Sequence, residues 1–556
     1  MKARSGGQIL VDQLAIHGVE HLFCVPGESY LAVLDALHDA SIRVTVCRQE
    51  GGAAMMADAA GRLTGRPGIC FVTRGPGASN AVHGIHIAEH DSTPLILFVG
   101  QVGRDMRERG AFQEMDYRAV FGSTAKWVTE IDDPARIPEL VSRAFHVACA
   151  GRPGPVVIAL PEDMLTETAT VPDARPFQPI EIGPGVAQMA GLADLLAAAA
   201  RPVAILGGSR WSEAAVRGFA AFANDSSLPV ICSFRRQMLC PADHPCYAGE
   251  LTIGPNPKLM ALIQDADLIL LVGGRLPEIA SQGYTLLEIP APRQKLVHVH
   301  ADAEELGRVY TPDLGIVASP VAFCAALEQL SRPPAPMRDR VVAAHADYLD
   351  WSDPAAVRSP GRLGMPHIMR TLRDRLPADT IVVNGAGNYA GWVGRFWPYR
   401  SYGTQLAPTS GSMGYSFPPA VAAKLLHPDR TVLSFAGDGC FLMNGQEFAT
   451  AVQYDLAILV VLIDNGMYGT IRMHQERHYP GRVSATDLTN PDFSAYARAF
   501  GGYGERVEAD QDFAPALERA LASGKPAILH CLTDPEAITP TVTLSAIRER
   551  ALASAG

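Results

Sequence analysis

The stretch Ser434–Phe448, SFAGDGCFLMNGQEF, decides how the C-terminal part of the chain is read. A hydrophobic run stops, Gly437-Asp438-Gly439 follows, and a helix-like segment begins. Alone, a Gly-Asp-Gly is a tight turn. Its flanks say more. TVLSFA (Thr431–Ala436) reads as a buried strand. Asn444 reads as a helix cap, with Glu447 three residues on closing a capping box. Phe448, Ala451 and Val452 give that helix an apolar face. AILVVLI (Ala457–Ile463) is the next buried strand and ends in Asp464-Asn465-Gly466. Asp438 and Asn465 thus fall at the C-terminal ends of two strands joined by one helical crossover. In parallel sheets that end is where ligands bind.

The donor types narrow the ligand. An aspartate, an asparagine and a main-chain carbonyl from the loop after Asn465 are hard oxygen ligands. They suit Mg²⁺ or Ca²⁺, above all where diphosphate oxygens complete the shell. The glycines let backbone N–H groups approach such a diphosphate.

The rest of the chain alternates in the same way. In residues 1–170, RVTVC (Arg43–Cys47), GICFVT and PLILFVG are short apolar runs, while GGAAMMADAAGRLTG and GPGASNAVHGIHIAEH read as helices. TVPDARPFQPIEIGPG (Thr170–Gly185) is rich in proline and glycine and reads as a linker. A second block, 186–333, runs from PVAILGG through LPVICSF and ADLILLVGG to KLVHVHAD. SRPPAPMRDR marks another connection, and a third block spans 360–545. The expected fold is therefore α/β, as three consecutive parallel-sheet domains.

Composition bounds the function. The chain has 556 residues, 48% hydrophobic and 19% charged, with a net charge of −11. That balance argues against nucleic acid as a partner, and small basic clusters such as Arg235-Arg236 read as solvated surface. No apolar run reaches the ~20 residues that span a bilayer, so no membrane partner is expected. The N-terminus reads as an amphipathic helix and a strand, not a signal peptide. The ten cysteines form no C-x-x-C pair and read as reduced, mostly buried thiols of a cytoplasmic enzyme.

Gly-Asp-Gly, followed by 27 positions from Asp438 to Asn465, resembles the motif of thiamine-diphosphate enzymes. The resemblance covers nearly the whole chain, and its domain order is that of acetolactate synthases and their decarboxylase and lyase relatives. It implies thiamine diphosphate with Mg²⁺ held by Asp438, Asn465 and the main-chain oxygen of Met467. Gly437, Gly439, Cys440 and Tyr468 would lie beside the diphosphate, as would Gly387, Asn388 and Tyr389 of NGAGNYAGW. TSGSMGYSFPPAVAAK would hold the pyrimidine, with the Gly411 carbonyl on its amino group and Met413 as the wedge that bends the cofactor. A buried core methionine is the competing reading of Met413. Glu50, at the end of RVTVC, would hydrogen-bond the N1′ nitrogen. The cofactor would sit between the first domain of one subunit and the third of another, so a homodimer or homotetramer is expected.

The activity implied is loss of CO₂ from a 2-oxo acid, with transfer of the remaining carbon to a proton or to a second carbonyl. Phe112, Gln113 and Lys126 resemble the acetolactate synthase residues near the substrate, with Gln113 and Glu28 as catalytic candidates. Gly27-Glu28 resembles the loop that reaches the cofactor, although a solvated surface glutamate competes for Glu28. Pyruvate decarboxylases add a His-His pair that is missing here. A tryptophan that favours 2-oxobutanoate as acceptor is replaced by His474, while His478 reads as an ordinary loop residue. The leading expectation is an acetolactate-synthase-like carboligase. A 2-oxo acid decarboxylase or acyloin lyase is the alternative, and a non-catalytic paralogue a third. Relatives of the biosynthetic kind hold FAD in the central domain, but ILGGSR and VGGRLPE make no G-x-G-x-x-G. FAD is the less favoured expectation there, and another adenine nucleotide or nothing remains open.

Overall fold

The computed structural model describes residues 2–330 and 338–555. Three six-stranded sheets carry the chain, and every strand pairing in them is parallel. The first is built from β1 (His21–Cys24), β2 (Arg43–Val46), β3 (Gly68–Val72), β4 (Leu95–Gln101), β5 (Trp127–Glu130) and β6 (Pro155–Pro161), in the order β2-β1-β3-β4-β6-β5. Helices α1 (Gly6–Ile16), α2 (Glu50–Thr64), α3 (Gly75–Asp91) and α4 (Ile137–Cys149) flank it. Strands β3, β4 and β6 are buried along their whole length. A strand covered on both faces reads as one continuous apolar run.

The second sheet comprises β7 (Pro202–Leu206), β8 (Val230–Ser233), β9 (Tyr247–Leu251), β10 (Leu268–Val272), β11 (Lys295–His300) and β12 (Leu314–Val317). Its order, β9-β8-β7-β10-β11-β12, is that of dinucleotide-binding sheets. The glycine turns after β7 and β10 meet backbone to backbone. A Cβ on Gly208 would lie 1.8 Å from the Gly273 carbonyl oxygen.

The third sheet has β13 (Ile381–Asn384), β14 (Gln405–Leu406), β15 (Val432–Gly437), β16 (Leu459–Asp464), β17 (Tyr503–Val507) and β18 (Ala527–Leu532). Its order, β14-β13-β15-β16-β18-β17, repeats that of the first sheet. Helices in this part of the chain include α5 (Asn388–Phe396), α6 (Pro418–Leu426), α7 (Asp438–Phe441), α8 (Phe448–Gln453) and α9 (Gly469–His478), of which α6 and α8 pack with the first unit.

By packing, the chain forms two units. One holds Met1–Ile180 with Pro418–Leu426 and Asn444–Tyr454; the other holds the second and third sheets. Thr170–Gly185 is free of regular structure, as the linker reading expects. The connection expected at 331–340, and the second domain's end at 333, fall largely outside the described residues. All ten cysteines are free thiols and nine are buried.

Two local expectations are corrected. Asn444 makes no side-chain cap, and Gly445–Glu447 is a 3₁₀ turn before α8, so the capping box is absent. Arg235 and Arg236 are not solvated surface: they are 9% and 6% exposed. The Arg235 guanidinium donates to the carbonyls of Pro408 (2.5 Å) and Gly385 (2.9 Å), and its own N–H donates to Glu250 on β9 (2.5 Å). This strut ties the second sheet to the loops that follow β13 and β14.

Burial pushes the Glu250 carboxyl up to about 7, despite the Arg235 N–H and charge. A carboxyl raised on folding binds its proton more tightly in the folded state. It therefore subtracts stability progressively as pH rises from its unfolded value of 4.5 to about 7. Glu250→Gln keeps an acceptor for Arg235 and removes the titration. Thermal unfolding of both proteins should show the variant gaining on the wild type between pH 5 and pH 8, by on the order of 3 kcal/mol. A pH-independent difference contradicts this.

Candidate active site

Parallel pairing sets β15 beside β16, with Gly437 opposite Ile463, so Asp438 and Asn465 leave the sheet at the same edge. Asp438 opens α7 and is 4% exposed. Its Oδ1 accepts the Gly439 N–H (2.8 Å), and its Oδ2 accepts Gly466 N–H (3.1 Å) and Asn490 Nδ2 (2.7 Å). Asp464, the last residue of β16, lies alongside. Its Oδ1 accepts the same Asn490 amide (2.8 Å) and Gly466 N–H (3.0 Å), and its Oδ2 pairs with His530 Nε2 (2.9 Å). Asn490 thus bridges two carboxylates.

The pair titrates unequally. Burial pushes Asp438 up to about 6, with Asp464 adding to the rise. Burial also acts on Asp464, but His530, Asn490 and Gly466 outweigh it and hold that carboxyl low. Asp438 is therefore the group that a cation would serve. Met467, whose main-chain oxygen is the third ligand expected, lies in the loop after β16. It faces Asp487 in an antiparallel bridge whose flanking bonds run from Leu488 N–H to the Gly466 carbonyl and from Tyr468 N–H to the Thr486 carbonyl. In such a pair the residue's own carbonyl points away from its partner. Among the described residues no cluster of three or more His, Cys, Asp or Glu is placed to hold a metal. The donor set here, one carboxylate, one amide and one main-chain oxygen, fits Mg²⁺.

The glycines of the motif have a steric reason. A Cβ on Gly437 would lie 2.6 Å from the Tyr389 ring, and one on Gly439 would lie 2.7 Å from the Tyr468 ring. Tyr389 is buried, and its hydroxyl accepts the Gly385 N–H (3.2 Å) and donates to Cys440 Sγ (3.1 Å). Cys440 Sγ also accepts the Gly414 N–H (3.2 Å). The side chains of Tyr389 and Cys440 therefore brace the loop from behind. Asn388 begins α5, after Gly387 at φ +146°, and its Oδ1 accepts the Thr470 hydroxyl (2.7 Å). Gly411 is exposed at φ +68°, and Met413 is half-buried against the third domain's core.

A second cluster gathers at the C-terminal edge of the first sheet. Glu50 is the first residue of α2, after β2, and its Oε2 accepts Asn80 Nδ2 (2.8 Å). Gly27-Glu28 follows β1, and Arg74 follows β3. Arg74 is buried and donates to Glu28 (2.6 Å), whose side chain is 68% exposed. Gln113 has φ +64°, and its carbonyl accepts the Gly75 N–H (3.1 Å). Phe112, beside it, is 73% exposed. Glu28, Glu50 and Gln113 thus lie at one edge of the sheet.

Lys126 does not. It precedes β5, at the N-terminal edge of the same sheet, and its ammonium donates to the carbonyls of Val147 (2.7 Å) and Ala150 (2.6 Å) at the end of α4. Its place is a helix C-terminus, where a cation is favoured. His474 lies on the exposed side of α9, stacked on His478 with centroids 6.2 Å apart. Asp464, Asn490, His530 and Arg74 are contributions that sequence reasoning missed.

Three family models match the chain. The N-terminal TPP binding domain of thiamine pyrophosphate enzymes matches residues 4–120, the central domain 189–327, and the C-terminal TPP binding domain 385–531. Relatives include the acetolactate synthase isozyme 2 large subunit of Escherichia coli, 30% identical and covering 95% of this chain and 96% of that protein. The large subunit from Parasynechococcus marenigrum is 32% identical over 94% and 87%. That from Lactococcus lactis is 32% identical over 90% and 88%. With all three domains matched in order and relatives aligned over almost their full length, the chain belongs to the thiamine-diphosphate-dependent enzymes, alongside the acetolactate synthase large subunits.

Proposed function

We propose that this protein is a Mg²⁺-dependent carboligase. It would decarboxylate a pyruvate-like 2-oxo acid and join the remaining carbon to a second carbonyl. One observation carries the reading. Glu50 heads a helix at the C-terminal edge of the first sheet, and Asp438 and Asn465 stand at the same edge of a third sheet with the same strand order. Each edge is a half-site, to be completed by a second copy of the chain.

Bound thiamine diphosphate supplies a nucleophilic carbon and a sink for the electron pair released with CO₂. The chain's own residues set up that chemistry. Glu50 would offer one carboxylate oxygen to the cofactor ring, while Asn80 fixes the other. Asp438, Asn465 and the Met467 carbonyl would hold the cation against the diphosphate. α5 begins just after β13, which pairs with β15, and its first N–H groups would face the diphosphate. Arg74 keeps Glu28 in position at the first sheet's edge. No flavin is needed for these steps, and the central glycine turns already serve backbone packing.

A simple decarboxylase or lyase differs only in where the carbon goes. Incubation with pyruvate, thiamine diphosphate and Mg²⁺ separates the two. Acetolactate or acetoin supports carboligation; acetaldehyde alone overturns it. Asp438→Ala should weaken thiamine diphosphate and Mg²⁺ binding together, by at least tenfold, on the order of one lost charge-assisted contact. Unchanged affinities in a calorimetric titration would remove Asp438 from the metal site. With His474 in place of a selecting tryptophan, competition between pyruvate and 2-oxobutanoate should show little acceptor preference. A strong bias toward 2-oxobutanoate would contradict that role for His474.

A further inference from the structure

Glu447 offers no cap to its own helix, yet its side chain is fully buried. Burial pushes its carboxyl upward, against hydrogen bonds that favour the ion. Apart from one local bond, they come from far away in sequence. Oε1 accepts the N–H groups of Arg48 and Gln49, both at 2.9 Å, and Oε2 accepts the Arg48 N–H again at 3.2 Å. The Thr450 hydroxyl donates to Oε2 at 2.6 Å. Arg48-Gln49 is the turn between β2 and α2, and Glu50 is the next residue.

The neighbours of Glu447 hold the same stretch. β2 is an edge strand, so its outer main-chain groups have no neighbouring strand in the sheet to pair with. The Tyr454 hydroxyl accepts the Val46 N–H (2.9 Å) and donates to the Val44 carbonyl (3.3 Å). The Arg48 guanidinium donates to Gln453 (2.6 Å). On the other side of the turn the Gln49 side chain caps α2 by accepting the Gly52 N–H (3.0 Å). Room for the carboxylate comes from Gly52, where a Cβ would lie 2.8 Å from Glu447 Oε1.

We propose that Glu447 is a positioning residue for Glu50: by accepting both N–H groups of the Arg48-Gln49 turn, it fixes the start of α2 and so the aim of the Glu50 carboxylate. The proposal rests on the reading of Glu50 as the partner of the cofactor's N1′ nitrogen. Glu447 touches neither substrate nor cofactor in this role. Its effect should appear in how well the protein distinguishes a cofactor that has N1′ from one that lacks it.

The test is equilibrium binding to the full-length protein with Mg²⁺, using thiamine diphosphate and an analogue in which C–H replaces N1′. The ratio of the two dissociation constants reports the Glu50 hydrogen bond. Glu447→Met, which keeps bulk and loses the acceptors, should lower that ratio about tenfold, the loss of one hydrogen bond. Glu447→Gln retains an oxygen for both N–H groups and should stay within about twofold of the wild type. Gly52→Ala displaces the carboxylate from outside. It should lower the ratio as Glu447→Met does, and it supplies the answer if that variant does not fold. A wild-type ratio in Glu447→Met or Gly52→Ala overturns the proposal, as does an equal loss in Glu447→Gln. Glu50→Ala is the control. If it keeps the wild-type ratio, the Glu50 reading itself fails and takes the proposal with it; if it loses the ratio while the Glu447→Met ratio persists, only the positioning role fails.

Discussion

The buried carboxylate of Asp438 governs the edge of the third sheet. Burying an anion is costly unless donors and a countercharge surround it. The chain meets that cost with three donors from three places: Gly439 beside it, Gly466 after the next strand, and Asn490 beyond. The parallel register of β15 and β16 brings the first two together. The Asn490 amide ties Asp438 to Asp464, and His530 holds Asp464 in turn. One carboxylate stays low and the other is pushed up, so the demand for a cation falls on Asp438.

The first sheet solves a different problem with the same strand order. It presents a carboxylate at the head of a helix rather than in a closed turn. A helix start is a stiff mount only if the chain entering it is also held. Here the entering turn is clamped by Glu447, and the edge strand before it by Tyr454. These residues lie shortly after Asp438 in sequence but pack with the first unit.

Much of the fold was legible because parallel strands buried on both faces are continuous apolar runs. TVLSFA and AILVVLI needed no further signal, and their ends located Asp438 and Asn465. What was misread depended on partners that leave no mark in sequence. Asn444 and Glu447 have the spacing of a capping box, but Glu447 answers to N–H groups 398 and 399 residues away. Arg235-Arg236 looks like surface charge, and is buried because main-chain carbonyls of Gly385, Pro408 and Gly208 receive it. Lys126 was selected by likeness of a segment, which does not say at which edge of a sheet a residue emerges. Asp464, Asn490 and His530 come from three separate segments, and only the register of β16 with β18 aligns the first with the last.

In the proposed function, Glu50 exchanges a proton with the cofactor ring and thereby activates it. Hydrogen–deuterium exchange at the cofactor's C2 carbon, read by quenched-flow NMR, tests it most directly. Glu50→Gln preserves shape but cannot exchange the proton in the same way. Exchange in the cofactor-loaded variant should slow by at least ~100-fold, the lower range for loss of acid–base assistance. Wild-type exchange rates in Glu50→Gln would contradict the account.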